Sequence, residues 1–335
     1  MMLLDFSKEI DFPKNADEDW QKEILGFLTE WFSEKDFIVS QTSGSTGTPK
    51  EIRIPKYAMK MSAQMTGEFF GLQKGDTALL CMPVNFIAGR MMVVRAIELK
   101  LKLFCVQPKS KMVLEKFPTL DFVPMTPMQA EASLADLGKI RILLLGGAPL
   151  SDGLRKNLSA LETKCFESYG MTETITHIAL KEISEACFTV LPKIKIRQDN
   201  RGCLVIRTPY FTEEILTNDL VEIHRENQFK WLGRFDNVIN SGGIKLFPEQ
   251  IEAKIKPFLQ NEFIIGSLPD EKLGQRLVLV IESENQMNLD LGKFTEVLGK
   301  FECPKEIYFV KTFPRTESGK VQRTKILKSL NRPNL

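Results

Sequence analysis

The chain has 335 residues, 43% hydrophobic and 26% charged, which is enough for two domains with separate cores. Forty-five basic against 43 acidic side chains leave a net charge of +2, so the balance points to neither nucleic acid nor a membrane surface, and any positive field must be local. No apolar run reaches membrane-spanning length, and the first residues lack the basic and long apolar segments of a secretion signal, so a cytoplasmic location is expected.

In chain order, residues 17–33 place Trp20, Ile24, Leu25, Leu28 and Phe32 at helical spacing and predict a helix. Phe37-Ile38-Val39 and the alternating Ile52-Arg53-Ile54 predict two strands around a tight loop. Helices are expected over 57–71 and 89–101, the second apolar except for Arg90 and Arg95. Strands are expected over 77–84, 103–106, 122–124 and 139–145. This alternation predicts a large α/β domain with mixed sheets. Beyond about residue 190, short strands at 194–196, 204–207 and 220–223 predict a small antiparallel β subdomain. A helix near 248–259, strands at 263–267 and 277–282, a helix near 289–300 and a strand at 306–310 predict a small α+β C-terminal domain. The boundary is placed at Asp236, giving a large domain over 1–235 and a small one over 236–335.

Six cysteines (Cys81, Cys105, Cys165, Cys187, Cys203 and Cys303) are scattered without a C-x-x-C pair and are expected to be buried free thiols. Two histidines, His177 and His224, exclude a site of three or more histidines and give a Ser-His-Asp triad poor support.

The most informative segment is Gln41-Thr42-Ser43-Gly44-Ser45-Thr46-Gly47-Thr48-Pro49-Lys50. It gathers hydroxyls, two glycines and a lysine, a composition suited to phosphate oxygens. It is not a Walker loop, because Pro49 precedes Lys50 and no hydroxyl follows the lysine. Alone, it could also be a solvated linker, the less favoured of the two readings. Gly146-Gly147-Ala148 follows a buried strand, where backbone can meet a ligand. In Glu167-Ser168-Tyr169-Gly170-Met171-Thr172-Glu173-Thr174, an aromatic ring, a hydroxyl and a carboxylate suit a purine, a phosphate and Mg²⁺.

The hydroxyl loop resembles the phosphate-binding motif of the adenylate-forming enzymes, the superfamily of acyl-CoA synthetases, luciferases and peptide-synthetase adenylation domains. The other motifs follow in that family's order from residue 41 to residue 323. The resemblance implies that Thr42, Ser43, Gly44, Ser45, Thr46, Gly47 and Lys50 bind the β- and γ-phosphates of ATP. It implies adenine against Tyr169, Gly170 and the Gly146-Gly147-Ala148 backbone, the α-phosphate at Thr172, and the metal at Glu173. Thr217-Asn218-Asp219 resembles the family's Thr-Gly-Asp, with Asp219 on the ribose and Asn218 in place of the glycine. Arg234 matches the arginine that contacts ribose and phosphate, and Asp236 the hinge of a mobile small domain. Gly242, Gly243 and Lys245 match the loop presented during thioester formation. Pro314-Arg315-Thr316-Glu317-Ser318-Gly319-Lys320 matches the loop of the catalytic lysine, so Lys320, with Thr172 and Glu173, is the expected catalytic set.

The stretch from Met82 to Arg95 and the segment around Thr126 further resemble the o-succinylbenzoate–CoA ligases of menaquinone synthesis. This implies an acyl site at Phe86, Arg90, Arg95 and Thr126, with Arg95 placed to meet a second carboxylate. Phe86 stands where that family has a histidine. The segment ahead of the hydroxyl loop is much shorter than in relatives, so a pared-down enzyme is expected. ATP, Mg²⁺ and CoA are the implied cofactor and co-substrates. Transfer to a carrier protein, a non-catalytic ATP-binding relic and a homodimer all stay open.

Overall fold

The computed structural model describes residues 1–9, 16–41, 51–287, 289, 291–315 and 321–331. The predicted phosphate-loop residues Thr42, Ser43, Gly44, Ser45, Thr46, Gly47 and Lys50, and the predicted catalytic Lys320, lie outside the described residues.

The first half alternates as the sequence pattern demands. Strand β1 (Met2–Asp5) is followed by helix α1 (Asp19–Phe32), strands β2 (Phe37–Gln41) and β3 (Glu51–Pro55), and helix α2 (Lys56–Phe70). Strand β4 (Thr77–Leu80), helix α3 (Ile87–Glu98), and strands β5 (Lys102–Cys105) and β6 (Leu120–Met125) come next. Helix α4 (Pro127–Ala132), strand β7 (Ile140–Leu145), helix α5 (Asp152–Ser159) and strand β8 (Lys164–Gly170) complete the α/β part. Local chemistry starts the short helices: the Thr126 hydroxyl caps α4 by accepting from the Gln129 N–H at 3.2 Å, and Ser151 caps α5 by accepting from Leu154 at 3.1 Å.

Strands β9 (His177–Glu182), β10 (Phe188–Val190), β11 (Lys195–Gln198), β12 (Cys203–Arg207), β13 (Ile215–Arg225) and β14 (Gln228–Arg234) are the antiparallel part. They are not a detached sheet. They extend the parallel strands into one twelve-stranded sheet of order β1-β5-β4-β6-β7-β8-β9-β10-β14-β13-β12-β11. Strands β5, β4, β6, β7 and β8 run parallel, and the rest pair antiparallel.

Successive side chains of a strand face opposite ways, and both faces of the parallel part are covered. Ala78, Leu80, Phe122, Ile142 and Leu144 share one core with Met59 of α2 and Met91 and Val94 of α3. Their neighbours Leu79, Val123, Leu143 and Leu145 share the other with Ala130 of α4 and Leu154 and Leu158 of α5. On α1 the buried stripe is Trp20, Ile24, Phe27, Leu28 and Trp31, while Phe32 is exposed.

The remainder builds a second sheet from β15 (Ile239–Ser241), β16 (Ile244–Leu246), β17 (Phe263–Asp270), β18 (Gly274–Glu282) and β19 (Glu306–Val310). Helix α6 (Pro248–Ile255) covers one face through Ile251 and Ile255, and α7 (Arg323–Leu330) the other through Ile326. Arg323 and Glu252, both largely buried, tie the two helices together as an ion pair of 2.6 Å. The helix expected near 289–300 is instead a 3-10 turn at Leu291–Phe294 followed by turns. Phe294 and Leu298 do have helical spacing and are buried, but Gly292 and Gly299 disfavour a continuous helix.

Candidate active site

A cavity of about 250 Å³ lies beyond the carboxyl ends of β6, β7 and β8, the edge at which open α/β sheets place ligands. Its wall is mostly apolar, with Met82, Ile87, Met125, Leu144, Met171 and Ile175. Of the residues expected at the site, Arg95, Thr126, Gly146, Gly147, Gly170 and Thr172 line it.

The turn after β8 shapes one wall. Gly170 has no alternative there, because an added Cβ would lie 2.4 Å from the Thr176 carbonyl oxygen. A 3-10 turn over Thr172–Thr174 leaves Thr172 half-buried at the cavity and Glu173 exposed. The Thr174 hydroxyl fastens this turn, accepting from the Met171 N–H at 2.9 Å and donating to the Thr176 carbonyl at 2.7 Å. Ile175 then sits at φ +71°, in the left-handed region that a β-branched side chain resists, at a cost of about 1–3 kcal/mol. That reversal starts β9 so that Thr176 and His177 reach the cavity.

Arg95 of α3 meets them there. Its side chain is only 2% exposed, yet among the described residues no carboxylate pairs with it. Its Nε donates to the Thr66 hydroxyl at 3.3 Å, and its Nη2 donates to the Thr176 hydroxyl at 3.1 Å and faces His177 Nδ1 at 3.4 Å. Burial pulls the guanidinium down to about 9, which still leaves it charged at neutral pH. Burial, together with the Arg95 charge, holds His177 well below the usual histidine value.

The remaining residues divide into three groups. Tyr169 packs against Phe188 and Phe229 and donates to Asp219 Oδ2 at 2.7 Å. Burial first, and the adjacent Asp219 charge second, push its phenol above the ordinary tyrosine value. Asp219, 6% exposed, also accepts from Trp231 Nε1 at 3.2 Å and lies 3.6 Å from Arg234 Nη1. A carboxylate offers about four lone-pair sites, so two partners leave room for further donors. Asp236, in a 3-10 turn over Phe235–Asn237, accepts from Arg234 at 3.1 Å and from Asn218 Nδ2 at 3.2 Å.

The second group stands away from the cavity lining. Phe86 is 58% exposed, and Ala148 and Glu173 are likewise not part of the wall. Arg90 is engaged elsewhere: its Nε donates to the Val84 carbonyl at 2.9 Å and its Nη1 to the Val39 carbonyl at 2.5 Å. It thereby ties α3 to the β2–β3 hairpin, whose paired ends Gln41 and Glu51 flank the hydroxyl loop.

The third group forms a turn. Gly242 (φ +58°) and Gly243 (φ +83°) connect β15 to β16 as a two-residue hairpin, whose backbone requires left-handed values at both positions. Lys245, paired opposite Asn240, is exposed. Residues 316–320 are framed by an antiparallel bridge between Arg315 and Val321, with Arg315 paired to Glu282 at 2.6 Å.

Sequence reasoning did not single out Thr66, Thr176 or His177 as site residues. The available signal was a histidine opening an apolar strand directly after the Thr172–Glu173 motif. Among the described residues, no group of three or more His, Cys, Asp or Glu side chains is arranged to hold a metal ion, and no helix is long and apolar enough to cross a membrane.

A mixed sheet of this kind, with a cavity at the carboxyl ends of its parallel strands, is the fold of the adenylate-forming enzymes. The family described as AMP-binding enzyme matches residues 3–201, and the chain belongs to it. It is an AMP-forming acid–thiol ligase. The 2-succinylbenzoate–CoA ligase of Listeria monocytogenes serotype 4b is 26% identical over 95% of this chain and 74% of its own length. The ligase of the same name from Staphylococcus epidermidis is 26% identical over 85% and 68%. Among solved structures, the acyl-CoA synthetase (AMP-forming)/AMP-acid ligase II-like protein of Dyadobacter fermentans is 36% identical, with a TM-score of 0.65 over 95% of this chain and 97% of that one. O-succinylbenzoate coenzyme A synthetase of Bacillus subtilis, solved with ATP and magnesium ion, shares the fold at a TM-score of 0.75 and 20% identity, over 87% of this chain and 69% of that one.

Proposed function

We propose that the protein is an o-succinylbenzoate–CoA ligase that uses ATP, Mg²⁺ and CoA in the cytoplasm for menaquinone biosynthesis. The observation that carries the substrate is Arg95, a buried cation without a carboxylate partner among the described residues, at a largely apolar cavity. A dicarboxylic acid with an apolar body supplies what the protein omits.

In this reading the acid's other carboxylate attacks the α-phosphorus of ATP, forming an acyl-adenylate and releasing pyrophosphate. Tyr169, Gly170 and the Gly146-Gly147-Ala148 backbone hold adenine, Asp219 accepts from the ribose hydroxyls, and Arg234 contacts ribose and phosphate. Thr172 donates to the α-phosphate, while the hydroxyl loop of Thr42, Ser43, Gly44, Ser45, Thr46, Gly47 and Lys50 holds the other two phosphates. Lys320 bridges the attacking carboxylate and the α-phosphate, where two anions must meet.

Glu173, exposed beside Thr172, fits a magnesium ion that keeps several waters and is shared with nucleotide phosphates rather than caged by protein. Bound there, Mg²⁺ would offset phosphate charge. The domain after Asp236 then rotates, withdraws Lys320 and presents Gly242, Gly243 and Lys245, and the CoA thiolate displaces AMP.

The test is pyrophosphate release with ATP and Mg²⁺ across a panel of carboxylic acids including o-succinylbenzoate, each with and without CoA. Release with o-succinylbenzoate and formation of its CoA thioester are expected. Release with a different acid only would keep the chemistry and refute the substrate. Adenylation with no thioester would point to a carrier protein as acceptor. Silence throughout would refute the reading.

A further inference from the structure

We propose that His177 is a positioning residue for the cavity's acid-binding end, holding the Arg95 guanidinium aimed into the cavity through an acceptor Nδ1. The inference rests on the reading of Arg95 as the partner of a substrate's second carboxylate, and adds the group that gives this arginine its direction.

One tautomer of His177 lets all of these contacts form, with Nδ1 lying also 3.5 Å from the Thr176 hydroxyl. A guanidinium can donate but not accept, so the His177 Nδ1 that faces Arg95 Nη2 at 3.4 Å must carry the lone pair. The proton therefore sits on Nε2, which donates to the Thr66 hydroxyl at 3.1 Å. Thr66 in turn donates to the Ser62 carbonyl at 3.0 Å and accepts from Arg95 Nε at 3.3 Å. Its one donor and two lone pairs are then all in use.

Arg95 Nη2 spends its two hydrogens on Thr176 and His177. Among the described residues no hydrogen bond is made by Nη1, whose two N–H groups are left for the cavity that Arg95 lines. Three fixed contacts, from Thr66 of α2, from Thr176 and from His177 at the start of β9, thus leave one edge of the planar fork for a ligand. An imidazole is suited to this place because its two nitrogens differ, one accepting from Arg95 while the other donates to Thr66.

The experiment compares kcat/KM for o-succinylbenzoate with that for its analogue lacking the ring carboxylate, in the wild type, R95M, H177F and H177N. Phenylalanine fills the space but cannot accept, whereas the asparagine amide oxygen can stand in for Nδ1. The expected result is a diacid-to-monoacid ratio at least tenfold lower in H177F, carried by the diacid's KM, and largely recovered in H177N. An unchanged ratio in H177F, with the ratio lost in R95M, would overturn the role of His177 and leave that of Arg95 standing. A wild type with no diacid preference, or R95M with the preference intact, would instead overturn the reading beneath both. Should H177F fail to fold, ¹⁵N NMR of the wild-type imidazoles decides, with His224 as the only other histidine. A neutral His177 protonated on Nε2 is expected, and protonation on Nδ1 at neutral pH would overturn the proposal.

Discussion

Arg95 is expensive to the fold and, in the proposed reading, useful to the reaction. A buried charge without a counter-ion costs stability, and a bound carboxylate would return that cost as affinity. R95M is expected to raise the KM for o-succinylbenzoate at least about tenfold, the scale of a lost charge-assisted hydrogen bond, and to change that of the monocarboxylate analogue far less. Steady-state kinetics on both acids would check this, and equal effects on the two would refute it. His177 gives the same site a signature in stability. Its folded value is depressed, so below the unfolded value of about 6.5 the unfolded chain binds a proton that the native ring, facing Arg95, refuses. Its contribution is therefore intact above about pH 6.5 and falls towards acid by up to ~1.4 kcal/mol per pH unit. Melting temperatures between pH 7.5 and 5 should drop less steeply for H177Q than for the wild type.

Helix α3 makes the case at the next scale, because it carries two arginines that look alike in the sequence. Five residues at about 100° each separate Arg90 and Arg95 by roughly 140°, so they cannot serve the same surface. Arg95 enters the cavity, while Arg90 clamps the base of the β2–β3 hairpin. R90A is expected to raise the KM for ATP by about tenfold while barely changing that for the acid, since it loosens the strand ahead of the hydroxyl loop. A larger effect on the acid would reverse that assignment. K320A should leave ATP binding nearly unchanged and slow adenylation by at least about a hundredfold, the scale for a preorganised charge, as pyrophosphate release would show. The same helix explains what was legible. Strand alternation and apolar helices are local signals, and they predicted β2, β3, β7, β19 and α2 nearly to their ends and α3 within three residues. The distant partners of Arg90 and Arg95, by contrast, are Val39, Thr66, Thr176 and His177, set by long-range packing that spacing does not encode. The missing helix near 289–300 failed for a related reason: Phe294 and Leu298 reach one core at helical spacing, but through a 3-10 turn and the turns after it.

For the whole molecule, the family and its α/β plan could be read from the order of the motifs. The continuity of the twelve-stranded sheet through the antiparallel strands could not, because it depends on β8 pairing with β9 and β10 with β14. The chain matches the Dyadobacter protein over 95% of its own length and 97% of that chain, and spans 74% of the Listeria ligase.

Asn218, standing where the family's motif has glycine, has a consequence in time. Its amide joins strand β13 to Asp236 at 3.2 Å, and its carbonyl accepts from Arg201 at 2.9 Å. If the chain beyond Asp236 rotates between the two half-reactions and carries the Asp236 carboxylate with it, leaving the present orientation breaks this tie. An exposed hydrogen bond of about 1 kcal/mol corresponds to roughly fivefold in rate. In single-turnover mixing, N218G should therefore speed whichever half-reaction follows that departure by up to about fivefold, and no acceleration of either half would mean the bond survives the rotation. The interval for which the reactive adenylate waits before a thiol arrives, and hence its exposure to stray hydrolysis, would then be set by a single surface amide.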